Sequence, residues 1–170
     1  MTLAINEHLT HDWSGQPVNL PSPLSIRVNT ASNMLEVHVE APLFHSTPPS
    51  STPGSTPELW NHEVVELFIL GEDDRYLEIE LGPHGHYLIL QLHGTRQVIK
   101  QGMSCAYTTT IKGDSWSGTA HIPTSYLPPN PTHFNLYAIH NTHNQRRYLS
   151  LTPTQTKKPD FHNLTSFSLL

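Results

Sequence analysis

Alternation of apolar and polar residues, repeated in separate short runs, limits most strongly what this chain can fold into. Leu24, Ile26 and Val28 alternate with Ser25, Arg27 and Asn29. Leu35, Val37, Val39 and Ala41 alternate with Met34, Glu36, His38 and Glu40. The same period recurs in Val65-Leu70, Leu77-Leu81, Tyr87-Leu92, Trp116-Ile122 and Phe134-Ile139. Successive side chains of a strand point to opposite faces, so a period of two predicts strands with one face turned to a core. No segment sustains a helical period. The best helix candidate is a turn or two near Thr124 to Leu127, stopped by Pro128-Pro129.

Turn-forming residues separate the runs: Gly71-Glu72-Asp73-Asp74, Gly82-Pro83-His84-Gly85 and Lys112-Gly113-Asp114. Linkers this short join antiparallel neighbours. Composition agrees, since 15 Pro in 170 residues and abundant Thr favour extended, turn-rich backbone over helix. We therefore expect an all-β, two-sheet antiparallel β-sandwich with very little helix. It should form one domain over residues 1–170, with strands 64–70, 76–82 and 86–92 as consecutive antiparallel neighbours. Residues 46–57 are rich in Ser, Thr and Pro with almost no large apolar side chain. They are expected as a flexible loop, with recognition by another domain as a second reading.

Charge and cysteine content narrow the partners. The net charge is −5 with neutral His, and no Lys or Arg run is long enough to neutralise a phosphate backbone, so nucleic acid is not expected. One cysteine, Cys105, can form neither an internal disulfide nor a Cys-rich zinc site. The segment from Met1 to Trp13 carries Glu7, His8, His11 and Asp12 in place of a signal-peptide apolar core. No apolar run approaches the ~18 residues of a membrane span. The expectation is an intracellular, cytoplasmic protein without membrane contact.

Two stretches carry a resemblance: Glu58-Leu59-Trp60-Asn61-His62-Glu63-Val64-Val65-Glu66-Leu67-Phe68 and Tyr76-Leu77-Glu78-Ile79-Glu80-Leu81-Gly82-Pro83-His84-Gly85. With Trp116 to Pro123, Phe134-Asn135 and Arg147-Tyr148, they resemble family 9 carbohydrate-binding modules and DOMON-like domains. Over almost its whole length the chain resembles uncharacterised protein family 0462. That likeness runs from His11-Asp12-Trp13-Ser14-Gly15 through Ala41-Pro42-Leu43-Phe44 and Ala138-Ile139-His140 to Pro159-Asp160-Phe161-His162. The resemblance implies a β-sandwich fold and, by fold-level analogy, a carbohydrate as ligand. Family 9 modules grip sugar between aromatic side chains on loops, which the shared strand motifs do not locate.

The candidate site is built on Glu66, Tyr76, Glu78 and Glu80, which alternate against the Val and Leu positions and so lie away from the apolar face. If strand 64–70 pairs with strand 76–82, three carboxylates share one face. Crowded carboxylates raise one another's pKa and attract a cation or a hydrogen-bond donor. The plain alternative is a solvated outer face, or salt bridges to Arg75, Arg146 or Arg147. His86 is expected at the border of the site, Trp60 as a platform at a strand entry, and Arg147 as a further ligand-binding residue. Asp160 could orient the imidazole of His162. His84 and His86 are the pair best spaced to share a metal ion, but no cofactor is expected. Cys105 reads as a small buried hydrophobe, Trp116 as core, and Trp13 as a plug at a sandwich end.

No nucleophile elbow, phosphate loop or dinucleotide fingerprint is present. The reading is a small-ligand-binding module, for a carbohydrate or another polyol, and not an enzyme. The alternatives are a non-catalytic protein-interaction module and a hydrolase using paired carboxylates.

Overall fold

The computed structural model describes residues 2–170, and the alternating runs form strands in two sheets. The strands are β1 (Ala4–His8), β2 (Ser25–Ala31), β3 (Met34–Pro42), β4 (Gly54–Ser55), β5 (Val64–Leu70), β6 (Arg75–Leu81) and β7 (His86–His93). They continue as β8 (Val98–Gln101), β9 (Ala106–Lys112), β10 (Ser115–Pro123), β11 (His133–Thr142), β12 (Gln145–Ser150) and β13 (Ser168–Leu169). The smaller sheet has the order β1-β2-β3-β10-β9. The larger runs β12-β11-β5-β6-β7-β4, with β13 beside β11 and β8 beside β7. The expected neighbours β5, β6 and β7 are consecutive and antiparallel. Among the described pairings only the two-residue β4 runs parallel to its neighbour. Among the described residues helix is confined to single 3-10 turns, one of them at Thr124–Tyr126, where the sequence places its best candidate.

The sheets bury one apolar face each against the other. Val28, Leu35, Val37 and Val39 from the smaller sheet meet Leu67, Ile69, Leu77, Ile79 and Leu136 from the larger. Trp116 joins this core, buried as expected. Cys105 is half-buried at its edge, and burial pushes its thiol up to about 12.

A second cluster covers the opposite face of the larger sheet. Phe68, Tyr76, Leu88, Leu90, Tyr137 and Ile139 point there, capped by Leu59, Phe161 and Phe167. The chain after β12 forms the cap: the Tyr137 hydroxyl donates to the Phe161 carbonyl at 3.0 Å, and the two rings stack at 3.9 Å. Trp13 packs at the rim of this second cluster. The middle strands of the larger sheet are therefore buried on both faces, so the carboxylates of β5 and β6 do not lie on a solvated surface.

The 46–57 segment follows the edge of the larger sheet through main-chain hydrogen bonds. The Glu63 carboxylate accepts the amides of Phe44 and Ser46 at 2.9 and 3.1 Å. Gly54 N–H donates to Gly85 O and Thr56 N–H to Tyr87 O. Gly85 sits at φ +86 with Pro53 against it, a backbone conformation that favours glycine.

Candidate functional site

On the capped face of the larger sheet, neighbouring strands set side chains side by side. Glu66 on β5 is the direct register partner of Glu80 on β6, and Glu78 lies opposite Phe68. Residues two apart on a strand share a face, so Glu66, Glu78 and Glu80 form one acidic group, as the sequence pattern predicts. All three are buried, at 2%, 3% and 0% exposure. The solvated-face alternative is therefore wrong, because the C-terminal segment and the Leu59–Asn61 turn cover what alternation alone marks as outside.

Above this group lies a cleft of about 450 Å³. Glu66, Glu78, Leu90 and Ile139 form its floor. One wall is Arg146 and Tyr148 from β12, another is Phe161 and His162, and the rim carries Trp60, Arg96 and Val98. Trp60 is 38% exposed, because its neighbour Leu59 is fully buried and anchors the turn that projects the indole outward.

Burial is the main influence on the acidic group. It raises Glu66 well above the usual carboxylate range, and the charge of Glu78 pushes the same way. Burial moves Glu78 up to about 7. Glu80 is raised well above its ordinary value by burial and then by Glu66 and Glu78, while the Trp60 amide opposes the shift. Glu78 Oε2 and both Glu80 oxygens have no hydrogen-bond partner. The basic side chain beside Glu78 is His162, whose Nε2 stands 3.9 Å from Glu78 Oε2.

His162 is held by Tyr76, not by Asp160. Its Nδ1 lies 2.7 Å from the Tyr76 hydroxyl, which also accepts the Arg96 amide at 3.0 Å. The Tyr76 hydroxyl, accepting from Arg96, has its proton free to donate to Nδ1, which puts the His162 proton on Nε2, on the side of Glu78. Burial, then the Arg96 charge, lowers His162 to about 4, so the ring is neutral near neutral pH. Asp160 instead binds the Arg96 guanidinium at 2.7 Å and the His162 amide at 3.0 Å. It fixes the backbone that presents the imidazole.

The two cleft arginines are occupied elsewhere. Arg146 donates to the Trp60 carbonyl, to Asn61 O at 3.1 Å and to the Tyr148 hydroxyl at 3.0 Å, with its guanidinium 5.5 Å from the Tyr148 ring centre. Arg96 is paired with Asp160.

Several expected site residues lie elsewhere. Arg147 points to the other face of β12 and lines a second hollow, also of about 450 Å³, with Trp13, Phe44 and His140. Arg146 takes the place in the cleft that the sequence reading gave to Arg147. Register decides this, since Tyr148 pairs with Ile139 and Arg147 with His140; the alternation Arg146, Tyr148 was the available signal. His86 lies in a small hollow beneath the 46–57 segment, together with His84, and its Nε2 donates to the Ser51 carbonyl at 2.9 Å. It does not border the cleft. Among the described residues no group of three or more His, Cys, Asp or Glu is placed to hold a metal ion. Arg96 and the cleft role of Phe161 depend on distant parts of the chain meeting, which no local pattern reveals.

Comparison with known proteins places this geometry in a family. Over 168 residues the chain is 41% identical to the mouse UPF0462 protein C4orf33 homolog, covering 94% of this chain and 87% of the relative. The human UPF0462 protein C4orf33 is 40% identical, with 94% and 84% covered. The chain belongs to the UPF0462 family. The zebrafish relative is 36% identical over 169 residues, with 94% and 85% covered. No family model matches the chain.

Among solved structures, this UPF0462 member is similar to a Bacteroides uniformis protein described as a candidate carbohydrate-binding protein. The TM-score is 0.77 at 20% identity, covering 98% of this chain and 85% of the other. A family 9 carbohydrate-binding module from Caldicellulosiruptor kristjanssonii, in complex with cellotriose, aligns with TM-score 0.50 at 16% identity, covering 79% and 68%. Both likenesses concern the fold, which is that of a family 9 carbohydrate-binding module. Among the described residues no helix is long and apolar enough to cross a membrane.

Proposed function

We propose that this protein is a small-ligand-binding module that holds a carbohydrate or another polyol in the cleft over β5, β6 and β7. The observation that carries the reading is a cleft with an aromatic rim and a floor of buried carboxyl groups. Trp60, Tyr148 and Phe161 offer flat apolar surfaces of the kind that stack on sugar rings. Burial favours the proton-bound form of Glu66 and Glu78, and a carboxyl group in that form both donates to and accepts from hydroxyl groups. A volume of about 450 Å³ falls within the range of small-molecule sites. The likeness of the fold to sugar-binding modules supports the reading by analogy.

The test is a thermal-shift screen with mono- and oligosaccharides and linear polyols, followed by calorimetric titration of each hit. A ligand that binds only the native state raises the melting temperature. We expect at least one sugar to bind the intact protein and to bind Trp60→Ala at least about tenfold more weakly, which corresponds to about 1.4 kcal/mol. Absence of any hit across the screen would reject the reading.

A second reading rests on the edge of the larger sheet. Val98 and Ile99 of β8 are exposed, and an exposed strand edge with apolar side chains can add a strand from a partner protein. A reproducible partner in pull-downs, lost in Ile99→Lys, favours that role.

A further inference from the structure

The acidic group makes a more specific demand than a polyol does. Three carboxyl side chains are buried together on β5 and β6, and three of their oxygens lack a well-formed hydrogen bond. Among the described residues no Lys or Arg forms a salt bridge with any of them. The cations at hand are already spent: Arg96 on Asp160, Arg146 on two backbone carbonyls and Tyr148. His162, the basic side chain beside Glu78 Oε2, is neutral near neutral pH. The phenols packed against the group, Tyr76 and Tyr137, are raised by burial and supply no positive charge. A neutral sugar satisfies hydroxyl positions, but it leaves this unpaired acidity in place.

Resting on the cleft reading above, we infer that the ligand carries a positively charged amine, an amino sugar in its simplest form, with the ammonium seated against Glu66 and Glu78. Glu78 lines the cleft, is buried, and holds an unpartnered oxygen beside it. An ammonium presents three donors to such oxygens. The aromatic rim suits the same ligand, because Trp60 and Tyr148 can take the sugar face or lie near the cation. A metal ion is a poorer occupant, since no group of three ligating side chains among the described residues is placed to hold one. Glu80, fully buried beside Glu66, does not line the cleft and does not touch the ligand.

Three trimers with one backbone isolate the amine: β-1,4-linked glucosamine, cellotriose, and the N-acetylated glucosamine trimer. They differ at the second carbon, which bears an ammonium, a hydroxyl or an acetamide. Titration calorimetry at about pH 6, in two buffers of different ionisation enthalpy, reads affinity and proton exchange together. We expect the amine trimer to bind at least tenfold more tightly than the other two and to release protons, because a cation ionises carboxyl groups that were neutral. Glu66→Gln and Glu78→Gln should each reduce that preference at least threefold, with melting temperature recorded to show that both variants fold. If one fails to fold, the other carries the test. Cellotriose binding as tightly as the amine overturns the amine inference and leaves the polyol reading standing. A preference that persists undiminished in the folded variants also overturns it. Binding of none of the three overturns the amine inference, and the polyol reading is then decided by the wider screen.

Discussion

Glu66 and Glu80 are direct cross-strand partners on β5 and β6, two buried carboxyl groups facing each other where like charges are normally destabilising. Their arrangement predicts how stability depends on pH. Burial raises Glu78 from 4.5 to about 7 and raises Glu66 and Glu80 well above 4.5. The folded state therefore holds protons that the unfolded chain has lost. The stabilisation is complete below pH 4.5 and disappears as pH rises through the folded values. His140 and His162 act in the opposite sense: lowered from 6.5 to about 4, mainly by burial, they contribute stability that is present above 6.5 and lost as pH falls toward 4. Between about pH 6.5 and 8 the carboxyl contribution is the one that changes. Stability should fall between pH 6.5 and 8, with a slope of up to about 1.4 kcal/mol per pH unit for each proton released. Urea denaturation across that range measures it. Glu80→Gln should flatten the slope and raise stability at pH 8; a flat or rising profile in the unmodified protein contradicts the arrangement.

Much of this was legible from the sequence, and the exceptions share a cause. Alternation located β2, β3, β5, β6, β7, β10 and β11, and it put Glu66, Glu78 and Glu80 on one face. It could not reveal that this face is covered, because the covering residues Leu59, Phe161 and Phe167 come from turns and from the chain after β12. The run Tyr87 to Leu92 hinted at it, being apolar on both faces. Arg147 was preferred to Arg146 through a motif, while strand register puts the two on opposite faces. His86 was expected at the border of the site, but its ring turns to Ser51 at the sheet edge.

The two adjacent arginines should respond differently to the same change. Arg146 donates to Trp60 O, Asn61 O and Tyr148, tying the Trp60 turn to β12. Arg147 is exposed and bonds within its own strand to Gln145. Arg146→Ala should cost about 2 kcal/mol, the scale of hydrogen bonds to a charged group, and should abolish cleft binding by releasing the turn. Arg147→Ala should change stability by less than about 0.5 kcal/mol and leave cleft binding intact. Thermal unfolding and titration of both variants check this; equal behaviour would mean that the face assignment is wrong.

Tyr76 joins three parts of the molecule through one hydroxyl, accepting from Arg96 and contacting His162 in the chain after β12. Tyr76→Phe keeps the ring but removes the oxygen, leaving the Arg96 amide and His162 Nδ1 without partners. A cost of about 1–3 kcal/mol is expected. Freed of this bond, the His162 ring can turn, and its Nε2 proton no longer points reliably at Glu78. The His162 imidazole resonances, followed by NMR through a pH titration, should show a changed tautomer balance. An unchanged tautomer would show that Tyr76 does not set it.

Glu63 offers a control on the other side of β5. Its carboxylate accepts the amides of Phe44 and Ser46, pinning the start of a segment with few large apolar side chains of its own. Further along, the segment is held by His86 to Ser51 O, Gly54 to Gly85 O and Thr56 to Tyr87 O. Glu63→Ala leaves two amides without an acceptor, at a cost of about 1–3 kcal/mol. The loss should concentrate where the contact was made, so hydrogen exchange at residues 44–52 should speed up well before exchange in β5 and β6 does. The bonds from Gly54 and Thr56 to the sheet remain, so the end of the segment should stay protected. Binding in the cleft should not change, because Glu63 and the 46–57 segment contribute nothing to its lining. Uniform acceleration of exchange across the larger sheet would show instead that Glu63 supports the whole sandwich and not one edge of it.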